Sequence, residues 1–112
     1  MATEIVVVPE FLEWYEALTM EEQESIRRVV TMLEAAGATL GYPQSSAVKG
    51  SRFAMRELRV QHAGRPYRIL YAFDPVRQAV LLTGGDKTGD DRWYEKAIRV
   101  ADRLFAEYLR GE

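Results

Sequence analysis

The sequence predicts an α+β domain in the order β-α-α-β-β-β-α, an antiparallel-rich sheet packed against helices, and three observations carry that prediction. A β-branched run near the N-terminus stops at a proline. Two segments of helical periodicity then meet at a capping-box tetrapeptide. Three alternating apolar runs with turn residues between them lead into a last amphipathic segment.

In order, Glu4 to Val8 reads as the first strand, ended by Pro9. Proline suits the first turn of a helix, and Phe11, Trp14, Tyr15 and Leu18 follow at helical spacing. Thr19-Met20-Glu21-Glu22 has the form of a capping box, so a second helix starts at Met20, with Ile26, Val29, Val30 and Leu33 as its apolar stripe. Gly37 stops it after Ala36, and the two helices form an antiparallel pair. Ala38 to Ser51 reads as a loop, since it holds Gly41, Pro43, two serines and Gly50. Strands follow over Arg52–Val60, Arg65–Asp74 and Arg77–Gly84. Gln61-His62-Ala63-Gly64 joins the first pair and Asp74-Pro75-Val76 turns the second. Arg92 to Arg110 closes the chain as a helix, with Asp90 or Asp91 as N-cap and Trp93, Ala97, Val100, Ala101, Leu104 and Tyr108 near one face.

A length of 112 residues suits a single domain over 1–112, and 47% apolar with 29% charged residues is an ordinary globular composition. The chain has no cysteine, which removes disulfides, thiolate nucleophiles and Cys-based metal sites. No metal-ligand spacing, Ser/His/Asp arrangement or cofactor motif stands out. GDKTG at 85–89 lacks the leading glycine of a phosphate-cradling loop. The sequence predicts a soluble, cytoplasmic protein with no signal segment and no span long enough for a bilayer.

The charge is unevenly placed. Residues 1–48 sum to −6, and Lys49 to Arg68 sum to +5, on a chain of net −2. A local basic ribbon attracts phosphate whatever the total, because the field is local. Alternation along the predicted hairpin puts Leu58, Val60, Ile69, Tyr71 and Phe73 toward the helices, and Glu57, Arg59 and Arg68 together on the other, solvated face. Arg56 and Arg65 fall on the first parity, with Arg56 reaching to an edge. Glu57 between two arginines fits either a plain cross-strand ion pair or a phosphate site. Lys87 follows the last strand, and Tyr94 a few residues on carries a phenol able to donate to phosphate. His62, the single histidine, falls in a predicted surface turn.

The element order, the run Arg56-Glu57-Leu58-Arg59, the stretch from Gly64 to Phe73 (GRPYRILYAF) and the pair Lys87-Thr88 resemble the RelE/ParE toxin superfamily, in particular its phage-derived HigB-like branch. The resemblance implies the toxin of a bacterial type II toxin–antitoxin system. Its RelE and HigB members cut mRNA on the ribosome, and their antitoxins often carry a helix-turn-helix DNA-binding domain. It implies catalytic positions at Glu57, Arg59, Arg68 and Lys87 and a substrate-binding position at Tyr94, and the basic ribbon adds Arg56 and Arg65 as substrate-binding candidates. Arg68 matches a phosphate-binding arginine, and Lys87 the basic residue near the leaving oxygen. The branch commonly has two successive basic residues where this chain has Asp86-Lys87. Two alternatives stay open from sequence: a ParE-like inhibitor of DNA gyrase, and a degenerate toxin that only binds its antitoxin.

Overall fold

The computed structural model describes residues 2–111. Its elements are β1 (Ile5–Val7), α1 (Pro9–Glu16), α2 (Met20–Ala36), β2 (Ser45–Ala47), β3 (Arg56–His62), β4 (Arg65–Phe73), β5 (Ala79–Asp86) and α3 (Trp93–Leu109), with a short 3₁₀ turn at Gly37–Thr39. One five-stranded sheet runs in the order β1-β5-β4-β3-β2, parallel only between β1 and β5. This is the α+β architecture the sequence predicts, with one strand added. That strand, β2, lies inside the stretch read as a loop and pairs Ser45–Ala47 with Leu58–Arg56.

Local chemistry explains most of the boundaries. The capping box of α2 forms in both directions: Glu22 N–H donates to Thr19 Oγ1 at 3.2 Å, and Thr19 N–H to Glu22 Oε1 at 2.8 Å. β3 starts at Arg56, four residues later than predicted. The segment before it is tied to α3 instead, where Ser51 Oγ donates to Asp102 at 2.5 Å and Phe53 packs edge-on against Phe105. The β3–β4 turn is tighter than predicted, a two-residue Ala63-Gly64 turn with φ of 51° and 75°. β5 runs through both glycines to Asp86 rather than stopping at Gly84. The cap residue of α3 is Arg92 rather than either aspartate, and Asp90 accepts the Arg92 N–H at 3.0 Å.

The sheet is covered on both faces. Leu58, Val60, Tyr67, Ile69 and Leu81 are buried on the side of α1 and α2, and Leu70, Ala72 and Val80 on the side of α3 with Ala97, Ala101 and Leu104. The face carrying Glu57, Arg59 and Arg68 is therefore not an open solvated surface, as the alternation pattern alone suggests. Adjacent glycines permit this three-layer packing. A Cβ on Gly84 would come 2.4 Å from the Trp14 ring of α1, and one on Gly85 would come 2.5 Å from Trp93 Nε1 of α3. Among the described residues no helix is long and apolar enough to cross a membrane.

Candidate functional site

The β3–β4 register sets Arg59 opposite Arg68 and Glu57 opposite Leu70, so the three charged side chains share the α3 face. Glu57 and Arg68 are each only 5% exposed. A carboxylate buried that deeply requires partners, and Glu57 has them on both oxygens. Its Oε2 accepts from Ser46 Oγ at 2.6 Å and from Arg59 Nη1 at 3.1 Å. Its Oε1 accepts from the Tyr94 hydroxyl at 2.5 Å and lies 3.6 Å from Arg68 Nε. Arg68 also donates from Nη1 to its neighbour's carbonyl, Tyr67 O, at 2.9 Å, while its buried Nε–H has no hydrogen-bond partner. That Nε–H faces Glu57 across the 3.6 Å ion pair, a little too far for a hydrogen bond.

Lys87 joins this cluster because of an irregularity in β5. Leu70 pairs with Thr83 but Tyr71 pairs with Leu81, so one extra residue bulges the strand. Leu81 faces α1 and α2. Beyond the bulge the alternation is inverted, so Thr83, Gly85 and Lys87 fall on the Arg68 side. The Lys87 backbone N–H donates to Pro66 O at 3.0 Å, and its ammonium lies 5.6 Å from the centroid of the Tyr94 ring. Lys87, Tyr94, Glu57, Arg59 and Arg68 thus form one contiguous chain of contacts. Burial, the leading cause, and the bond to Glu57 push the Tyr94 phenol above its usual pKa, with Arg68 pulling the other way.

The two remaining candidates lie elsewhere. Arg56 donates to Ser45 Oγ at 3.1 Å and toward Leu40 O at 3.5 Å, at the β2 edge. Arg65 bridges Glu22 at 3.5 Å and Asp86 at 3.3 Å on the α2 face. His62 is half-buried rather than free in a turn, with Nδ1 2.8 Å from Ser25 Oγ.

Two hollows flank the cluster. One of about 260 Å³ is lined by Glu57, Tyr94 and Lys49, between β2 and α3. The other, about 420 Å³, curls around the β3 edge past the end of β2 and is lined by Arg59, Arg68 and Arg28. Ser46, Lys49 and Arg28 were not singled out from sequence. The first two belong to β2 and its exit, which carry no strand signal, and Arg28 reads as an ordinary exposed helix residue. Among the described residues no group of three or more His, Cys, Asp or Glu side chains is placed to hold a metal ion.

The architecture is that of the RelE-like toxins. The free E. coli toxin RelE, a double arginine-to-alanine mutant, matches with a TM-score of 0.63 over 89% of this chain and 99% of that one. At 12% identity that likeness concerns the fold alone. More particularly, residues 13–106 match the family described as Phage derived protein Gp49-like (DUF891), and the chain belongs to it. Two Mycobacterium tuberculosis proteins carrying toxin names are similar across the sequence. HigB3 is 42% identical over 110 residues, covering 96% of this chain and 95% of that protein. HigB2 is 43% identical over 99 residues, covering 86% of this chain and 49% of that longer protein. The resemblance to HigB-like toxins holds in sequence, and the resemblance to RelE holds in fold.

Proposed function

We propose that this chain is the toxin of a type II toxin–antitoxin pair and cleaves mRNA on the ribosome through the Glu57–Tyr94 cluster. The observation that carries the reading is the gathering of three cations, Arg59, Arg68 and Lys87, around the buried Glu57 carboxylate and its half-buried Tyr94 phenol partner, beside two open hollows. Cleavage needs a proton acceptor for the ribose 2′-OH, charge stabilisation at phosphorus and a proton for the departing 5′-oxygen. Arg59 and Arg68 hold the phosphate and stabilise its developing charge, in the manner of an oxyanion hole, with a planar fork that lysine lacks.

Glu57 acts as base through Tyr94, because the phenol already occupies Oε1. As the 2′-oxygen attacks phosphorus, its proton passes to Tyr94 Oη while the phenol proton passes to Glu57. Lys87 protonates the 5′-oxygen as the P–O5′ bond breaks, leaving a cyclic 2′,3′-phosphate and a 5′-hydroxyl. Each positioned acid or base supplies a factor of about 10² to 10⁴. The partner in this reading is a cognate antitoxin of the helix-turn-helix kind, and the protein acts in the cytoplasm.

Primer extension on transcripts after induction tests the reading. Cuts phased to codons within translated regions support it. Intact RNA with broken DNA would transfer the chain to gyrase poisoning, and no growth arrest at all would make it an antitoxin ligand only.

A further inference from the structure

The larger hollow offers more than access to Arg68. Although residues 1–48 sum to −6, its walls hold three arginines, Arg28, Arg59 and Arg68, and no carboxylate. Arg28 is exposed on α2 and makes no hydrogen bond or ion pair among the described residues. Pro43 and Met32 supply an apolar wall, and Gln44 an amide. Outside the lining, next in the chain to Pro43, stands Tyr42, an aromatic ring 75% exposed, with the guanidinium carbon of the lining Arg59 5.1 Å from its centroid. An exposed aromatic costs hydration without contributing to the core, and one stacked on a phosphate-facing arginine offers a base a flat surface. The volume falls in the range of about 300–1,000 Å³ that accommodates small ligands.

We propose that this groove seats the nucleotide next to the scissile phosphate on single-stranded RNA, its base on Tyr42 and its outer phosphate on Arg28. The inference rests on the nuclease reading above and adds a binding track to it. The track runs from the reacting centre at Arg68, around the β3 edge beyond the first residue of β2, to α2. Duplex does not fit it, because a base in a helix has no free face for Tyr42. Stacking is tolerant of base identity, so the groove adds affinity more than sequence preference.

The test uses the full chain carrying Lys87→Ala, to slow cleavage, and a fluorescent single-stranded RNA hexamer read by anisotropy over a salt series. Tyr42→Ala is expected to weaken binding about tenfold with the salt slope unchanged, as for loss of one stacked base. Arg28→Ala is expected to weaken binding and lower the slope by about 0.7, one phosphate contact on a single strand. Both residues are exposed, so thermal melts of these variants should match the parent. Equal binding by both variants and the parent overturns the track, as does equal binding of duplex, or no RNA binding at low salt. Loss of antitoxin binding in these variants with RNA binding intact also overturns it, by giving the groove to the protein partner. Cleavage is scored separately by primer extension with Lys87 intact: codon-phased cuts with unaltered binding by both variants remove only the track. RNA binding through Tyr42 and Arg28 without any cleavage removes only the nuclease reading.

Discussion

On one face of the sheet Tyr94 donates to Glu57 beside Arg59 and Arg68; on the other Tyr67 donates to Glu22 beside Arg65. Tyr67 and Arg68 are neighbours in β4, so the two clusters sit on opposite sides of one strand and use the same residue types. Their charge balance differs. The first sets Arg59, Arg68 and Lys87 against Glu57, whereas in the second Arg65 alone answers both Glu22 and Asp86. One has spare positive charge, with three cations around a single carboxylate, and the other is saturated and leans negative. A carboxylate–tyrosine–arginine group is thus no site by composition; an excess of donors over acceptors makes it able to receive phosphate.

Removing one arginine from each side separates the two clusters. Arg68→Ala is expected to abolish growth arrest and RNA cleavage while antitoxin binding survives. Arg65→Ala should leave cleavage within about twofold, since its surface ion pairs contribute little. Full toxicity in the Arg68 variant, or loss of it in the Arg65 variant, would reverse the assignment of the two faces.

Paired phenylalanine substitutions separate chemistry from stability. Tyr94→Phe removes the proton relay and should slow single-turnover cleavage about 10²-fold or more. Tyr67→Phe removes the hydroxyl that binds Glu22 and should lower stability by about 1 kcal/mol with the rate intact. Glu57→Gln belongs with Tyr94→Phe, and an unchanged single-turnover rate in that variant would exclude Glu57 as the proton's destination.

The two adjacent glycines make a finer contrast. Gly84→Ala and Gly85→Ala each place a methyl within 2.5 Å of a tryptophan ring, so each should destabilise by about 1–3 kcal/mol, measured by denaturant titration. Only Gly85→Ala pushes on Trp93, whose neighbour is Tyr94, so only it should also reduce cleavage by the folded fraction. Equal activity in the two variants would show that Trp93 does not position Tyr94.

The same geometry decides which of these residues the sequence pattern can place. The meeting of Glu57, Arg59 and Arg68 was legible because β3 and β4 alternate without interruption over those positions. Lys87 was not assignable, because counting by twos from Leu81 places it on the α2 face and the bulge at Leu82 cancels that count. The cover of α3 over the site was missed, yet the run Ile69-Leu70-Tyr71-Ala72, apolar on both parities, is the signature of a strand buried on two sides. β2 left no trace, since Ser45 and Ser46 are recruited by tertiary bonds to Tyr71 and Glu57 rather than by strand propensity.

The smallest effect lies in the saturated cluster and is read from pH. The hydrogen bond from Tyr67 is the leading cause that holds the Glu22 carboxyl below its ordinary 4.5, helped by the capping bond from the Thr19 backbone and opposed by burial. A carboxyl depressed in the folded state binds its proton more readily when unfolded. Its contribution is therefore complete above about pH 4.5 and is lost as pH falls through the lower, folded value. The melting temperature should accordingly drop between pH 5 and pH 3 by less in Tyr67→Phe than in the unaltered chain. Asp90, held low chiefly by Lys96, touches neither group and titrates alike in both proteins, whereas Asp86 is coupled to Glu22 through charge, so the difference between the two acid limbs reports the Glu22 cluster. Parallel limbs would mean that Tyr67 and Glu22 are merely adjacent, and the cluster would then be a packing contact rather than a charge-saturated one.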